Sequence, residues 1–204
     1  MSYATIDDLR ESLARPTPKV RDPGYVAKMM HEVPESTVVD RAKFVLERVR
    51  GKRVLEFGAT GKLHDEVRKV ASYYFGVDRE SSVQVAGFDL DDVSKAHLPA
   101  DSVFPEIILC GEVLEHLGNP QWFLTRLRRQ YASLPVIITV PNALTKIGLR
   151  HIDQGTENVN IDHVAYYSYR TLRTLLERVG YGIECFHWYG GDPYTAEGLI
   201  VVTK

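Results

Sequence analysis

Cysteine is scarce in this chain. There are two, Cys110 and Cys185, among 204 residues, and both sit inside apolar runs that read as strands. That excludes a disulfide scaffold and a cysteine-built metal site, leaving small buried thiols. Long hydrophobic runs are lacking too, so nothing reaches the roughly 20 apolar residues of a membrane span. The opening MSYATIDDLRESLARP has no apolar stretch of the kind an export signal carries, and a cytoplasmic location is expected. Nor is there an excess of one charge: 25 Lys and Arg stand against 27 Asp and Glu, a net charge of −2, which implies no global pull towards nucleic acid or an anionic membrane. Repeats and low-complexity runs are absent. What is there, 44% hydrophobic and 25% charged residues, suits one globular domain with an ample core.

Residues 1–35 read as a helical extension or lid, and 36–204 as the main domain. Ile6 to Leu13 has helical spacing, after which Pro16, Pro18 and Pro23 break the chain. Pro34 to Thr37 is expected to open a helix whose apolar face is Val38, Val39, Ala42, Phe44, Val45, Leu46 and Val49, ending before Gly51. From Lys52 strands and helices alternate. Strands are expected at Arg53–Gly58, Tyr73–Asp78, Val83–Asp89, Glu106–Gly111 and Pro135–Val140, with helices near Leu63–Ala71, Val113–Leu117 and Pro120–Ala132. This pattern argues for a parallel sheet with right-handed crossovers. A long polar insertion, Asn142 to Tyr167, precedes a helix at Tyr169–Val179 capped by Ser168 and stopped by Gly180. Strands at Tyr181–Tyr189 and Gly198–Lys204 close the chain as a hairpin.

The stretch RVLEFGATG, residues 53–61, organises the rest. A buried parallel strand that ends in a glycine turn puts backbone close to a ligand at the carboxyl edge of an open α/β sheet. Glu56 lies near the end of that strand. Asp78 ends the next one, 22 residues on, where a carboxylate can accept bonds from both hydroxyls of a ribose. A G-x-G-x-x-G run from Gly58 fails at Thr60 and Leu63, and there is no Walker lysine. A ligand with a ribose and no phosphate fits best. The plainer alternatives are a salt bridge for Glu56 and a turn cap for Asp78.

VLEFGATG, the acidic end of YYFGVD, GFDLDDV, EIILCGEVLEHLGNPQWFL, PVIITVPN and DHVAYYSYRTLRTLLERVGY follow one another in the chain. Together they resemble the successive motifs of class I S-adenosylmethionine-dependent methyltransferases. The resemblance covers Val38 to Lys204 and implies a Rossmann-like seven-stranded mixed sheet, order 3-2-1-4-5-7-6, last strand antiparallel, with helices on both faces. It implies S-adenosylmethionine as cofactor. Glu56, Gly58, Ala59, Thr60 and Gly61 would hold its methionine end and Asp78 its ribose hydroxyls, with Phe57 and Arg79 also among the cofactor-binding residues. Asp89 and Leu90 would read the adenine, and Cys110, Gly111 and Glu112 would line the inner wall. The family's usual G-x-G-x-G turn is G-A-T-G-K here, so Thr60 and Lys62 replace two glycines. That departure motivates a non-catalytic cofactor-binding or partner subunit as one alternative.

Glu112, Glu115 and His116 have the spacing of one helical face, expected to point into the crevice, with His163 arriving from the loop before the last helix. Mixed oxygen and nitrogen donors suit a divalent cation, and the set resembles the E-x-x-E-H plus distant histidine of metal-dependent small-RNA 2′-O-methyltransferases. The other reading is acid–base chemistry, with His116 or His163 as the base that takes the acceptor's proton. The expected activity is O-methylation of a small polar metabolite or saccharide, by analogy with related enzymes. The alternative is a metal-dependent RNA 2′-O-methyltransferase, disfavoured because Arg126, Arg128 and Arg129 read as a solvated helix face. Nucleic acid and membrane partners are not expected.

Overall fold

A computed structural model describes residues 36–78, 104–157, 159–192 and 194–204. Runs such as Val54-Leu55-Glu56-Phe57 and Ile107-Ile108-Leu109-Cys110 are apolar at every position or nearly so, the mark of strands covered on both faces. In chain order the strands are β1 (Val38–Val39), β2 (Arg53–Phe57), β3 (Tyr73–Val77), β4 (Ile107–Gly111), β5 (Val136–Pro141), β6 (Ile183–Tyr189) and β7 (Gly198–Thr203). They form one sheet of order β1-β6-β7-β5-β4-β2-β3. β3, β2, β4 and β5 are parallel neighbours, and β7 runs antiparallel to β5 and β6. This is the Rossmann-like mixed sheet expected, with the closing hairpin in its place. The expected strand Val83–Asp89 and the extension 1–35 lie outside the described residues.

Alternation of side chains divides the core into two layers. Leu55, Phe57, Ile108, Cys110, Val136 and Ile138 face helices α3 (Pro120–Gln130) and α5 (Tyr169–Arg178), whose Phe123, Leu124, Leu127, Leu172 and Leu176 are fully buried. Val54, Ile107, Leu109, Ile137, Ile200 and Val202 face the other way. They meet Phe44, Val45 and Val49 of α1 (Arg41–Val49) and Val67 of α2 (Gly61–Val70). Each buried side chain of this size contributes about 1.5–3 kcal/mol.

Three expectations need correction. Val38 and Val39 are not the first turn of a helix but a short edge strand, parallel to β6. Flanking groups hold them there: the Ser36 hydroxyl donates to the Phe186 carbonyl, and Trp188 N–H donates to Thr37 O at 3.3 Å. Asp40 then starts α1 at Arg41 by accepting from the Lys43 amide at 2.9 Å. Second, the predicted helix at Val113–Leu117 is a single 3-10 turn, Leu114–His116. Third, the polar insertion contains a helix, α4 (Lys146–Asp153), capped by Thr145. None of its residues is buried, so no core-facing stripe marked it; Ile147, Leu149 and Ile152 are all more than half exposed. Among the described residues no helix is long and apolar enough to cross a membrane.

Candidate active site

β2 delivers the chain into the turn Gly58 to Gly61. The Gly58 and Ala59 amides both donate to Val77 O, at 3.0 and 3.4 Å, which binds the turn to the tip of β3 and sets half-buried Asp78 beside it. Gly58 has φ 77° and no room for a side chain: a Cβ there would stand 2.5 Å from Val113 Cγ2 and 3.0 Å from Gly111 O. The close approach predicted for this glycine is therefore to the tip of β4. Gly61, φ 80°, is different, since a Cβ would meet nothing. Thr60 precedes α2 without a side-chain cap bond, and Thr60, Gly61 and Lys62 are exposed. The two departures from the glycine pattern thus stand in open space.

Glu56 is 3% exposed and lies on the α1 and α2 side of the sheet. Its carboxylate accepts from the Tyr74 hydroxyl at 2.6 Å and contacts His64 Nδ1 at 3.2 Å, while Tyr74 and His64 meet at 2.6 Å. The hydrogen bond to Glu56 outweighs burial and raises the His64 pKa. Burial pushes the Tyr74 hydroxyl up, and the Glu56 charge pushes it further. Neither partner was singled out in the sequence. Tyr74 lies two positions from the Glu56 partner Gly76 on β3, a diagonal that the strand pairing makes legible afterwards. Cys110 is sealed in the core, its thiol pKa raised by burial, whereas Gly111 and Glu112 beside it are half-buried. Arg79, Asp89 and Leu90 lie outside the described residues.

Glu112 departs from the expected helical face. Its φ is 56°, the one positive value at a non-glycine among the described residues, a conformation costing about 1–3 kcal/mol. Its carboxylate accepts from Thr139 Oγ1 and from the Tyr189 hydroxyl, each at 2.8 Å, and pairs with Arg41 Nη1 at 3.2 Å. It thereby lines a hollow of about 420 Å³ with Val39, Asp40, Arg41, Tyr189, Gly190 and Glu197. The structure does not gather it with the other three residues of the expected set.

Those three do come together. Ligand atoms of Glu115, His116 and His163 lie within 4.8 Å of one another, and the two imidazole rings meet edge to face at 4.7 Å. The Glu115 carbonyl accepts the Val164 and Ala165 amides at 2.8 and 3.1 Å, which ties the loop carrying His163 to the 3-10 turn. His116 Nδ1 is 3.2 Å from Asp162 O. A carbonyl only accepts, so Nδ1 is the donor in this contact and Nε2 is the ring nitrogen it leaves uncommitted. Glu115 is 1% exposed, and neither carboxylate oxygen has a hydrogen-bond partner. Burial, reinforced by the Glu112 charge, raises its pKa to about 8. Burial lowers that of His163, with the neighbouring His116 adding to the effect.

A tight glycine turn between parallel strands, an acidic tip on the next strand and a hollow at the carboxyl edge of this mixed sheet together define a class I methyltransferase domain. The chain belongs to that family: the methyltransferase-domain model matches residues 29–185. By family it is an S-adenosylmethionine-dependent methyltransferase. No curated protein matches it in sequence. Among solved structures it is similar to an S-adenosylmethionine-dependent methyltransferase from Archaeoglobus fulgidus, with TM-score 0.57 and 15% identity over 90% of this chain and all of that one. It is also similar to the small RNA methyltransferase HEN1, with TM-score 0.63 and 16% identity over 86% of this chain but 27% of that one. The mitomycin 7-O-methyltransferase MmcR gives TM-score 0.56 and 14% identity over 80% of this chain and 52% of that one. This chain thus spans about a quarter of HEN1 and half of MmcR, and identities this low speak for the fold alone.

Proposed function

We propose that the protein methylates a hydroxyl oxygen of a small polar metabolite or saccharide, held at Glu115, His116 and His163 around a divalent cation. The observation that carries this reading is the buried Glu115 carboxyl group, without a hydrogen-bond partner and within 4.8 Å of two imidazole ligand atoms. An isolated buried carboxylate costs several kcal/mol, and a cation removes that cost. One oxygen and two nitrogen donors suit Mn²⁺, Fe²⁺ or Zn²⁺, and three protein ligands leave positions open for acceptor oxygens. When bound, the cation would polarise the acceptor hydroxyl.

Methyl transfer from a sulfonium is an in-line displacement, so the chain's own contribution is mainly to hold donor and acceptor near attack distance. The glycine turn and Asp78 serve the donor side; the loop fixed by the Glu115 carbonyl serves the acceptor side. His163, its pKa lowered by burial, is neutral at pH 7 and has a lone pair to offer. In a cation-free site the same lone pair makes it, or His116, the general base.

Calorimetry with Mn²⁺ tests the reading: the wild type should bind, and Glu115→Ala should weaken binding at least about 10-fold, the lower end for loss of a metal-site group. A wild type with no affinity for Mn²⁺, Mg²⁺ or Zn²⁺ moves the assignment to acid–base chemistry. The RNA 2′-O reading has one favouring feature, since the vicinal hydroxyls of a terminal ribose would suit the same donor set. Against it, Arg126 and Arg128 are engaged over the Trp122 and Tyr181 rings, at 5.3 and 4.9 Å. Methylation of RNA that stops with chelator and with Glu115→Ala would reverse that preference.

A further inference from the structure

We propose that Tyr74 and His64 clasp the two ends of the glycine turn and act as positioning residues for the cofactor that the turn holds. The proposal rests on the donor reading above and concerns two residues that lie outside the turn itself.

The turn, Gly58 to Gly61, is short and has little side chain of its own to stiffen it. Glu56 stands two residues before it, and His64, the fourth residue of α2, stands three residues after it. Their contact at 3.2 Å closes the intervening chain into a small loop. Tyr74 completes the closure from β3, its hydroxyl 2.6 Å from each partner. A carboxylate only accepts, so the phenol spends its one proton on Glu56; in the contact with Tyr74, His64 Nδ1 is then the donor. Each bond polarises the next, and a connected network of this kind is stronger than its separate bonds. With side-chain exposures of 3% for Glu56 and 12% for His64, little water competes.

Gly76 shows that the clasp is built into the strand. It lies inside β3, opposite Glu56, where a glycine weakens pairing and marks a close approach. A Cβ there would come 2.6 Å from the Tyr74 hydroxyl, 3.0 Å from the Tyr74 ring and 2.8 Å from Ala59 Cβ. The missing side chain therefore makes room for two groups at once. One is the hydroxyl on its way to Glu56; the other is Ala59, a fully buried residue of the turn. Gly58 is pressed against the tip of β4. The turn is thus held from β4 at Gly58 and from β3 at Ala59, while His64 fixes the start of α2 behind it. Backbone that is to meet a ligand must be held to within about 0.5 Å, and the clasp supplies that support.

Calorimetry with S-adenosylhomocysteine on the folded chain, paired with urea unfolding, separates positioning from mere support of the fold. Tyr74→Phe and His64→Leu should each weaken the ligand about 3- to 10-fold, the scale of a lost hydrogen bond. His64→Asn, whose amide can take the place of Nδ1 as donor, should restore affinity to within about two-fold of wild type. Gly76→Ala should weaken binding too, and by less in a Tyr74→Phe background, where the hydroxyl is no longer there to be displaced. Tyr73→Phe should match wild type, since its ring packs into the other layer of the core. Variants that lose stability yet bind S-adenosylhomocysteine as the wild type does, or an equal loss in Tyr73→Phe, overturn the clasp while the cofactor stands. A wild type without affinity for S-adenosylhomocysteine overturns the donor reading and the clasp with it.

Discussion

Replacing Gly58 by alanine adds one carbon at the most constrained point of the turn. Two costs arise, and the neighbouring glycine separates them. Gly58 and Gly61 have nearly the same positive φ, 77° and 80°, so each alanine should carry the left-handed penalty of about 1–2 kcal/mol. Only at Gly58 does the new carbon collide, 2.5 Å from Val113 Cγ2 and 3.0 Å from the Gly111 carbonyl, whereas at Gly61 it meets nothing. Val113 is 1% exposed and packed among Leu114, Leu117 and Phe123, so it has nowhere to retreat, and forced packing of this kind costs about 1–3 kcal/mol more. Gly58→Ala should therefore lose about 2–5 kcal/mol and Gly61→Ala about 1–2 kcal/mol. Urea unfolding at constant m-value reads the difference directly, and the melting temperature should fall about 2–4 °C per kcal/mol for a domain of this size. Trimming the obstacle with Val113→Ala in the Gly58→Ala background should recover part of the loss as a coupling energy. Equal losses at the two glycines, with no coupling to Val113, would refute the contact between the turn and the tip of β4.

Two further outcomes follow from buried charge. Glu115 holds its proton more tightly folded, at a pKa of about 8 against the usual 4.5. In chelator its stabilising contribution should be complete below about pH 4.5 and vanish as pH rises through about 8. At about 1.4 kcal/mol per pH unit the fall is at most about 5 kcal/mol. Glu115→Gln should flatten that slope, and Mn²⁺ should raise stability at pH 8 in the wild type alone; an unchanged slope in the variant would exonerate Glu115. Tyr74→Phe leaves the 3% exposed Glu56 with His64 as its remaining side-chain partner. A loss of about 1–3 kcal/mol is expected by urea unfolding, and a loss below about 0.5 kcal/mol would mean the 2.6 Å bond contributes little.

Much of the fold was legible because burial on both sheet faces leaves unbroken apolar runs. β2, β4 and β5 fall within a residue of their expected bounds, and the closing hairpin is where the glycines placed it. Val38–Val39 was missed because two β-branched residues beside α1 satisfy a helical stripe as well as an edge strand. α4 was missed because its apolar residues point to no core. At the site, residues close in sequence were found and distant partners were not. Glu115, His116 and His163 meet as expected. The partners of Glu112, by contrast, are Arg41, Thr139 and Tyr189, drawn from α1, β5 and β6. One backbone angle decides that outcome. A left-handed Glu112 swings its side chain out of the i, i+3, i+4 row, and composition carries no sign of it.

The order of the strands also has a bearing on how the molecule is made. β6 is synthesised before β7, yet β7 lies between β5 and β6 and bonds to both. Without residues 198–203, β5 and β6 have no strand to join them. Every residue of that bridge is buried, so a nascent or clipped polypeptide lacking it would present sticky strand borders, a natural target for holding chaperones and quality-control proteases.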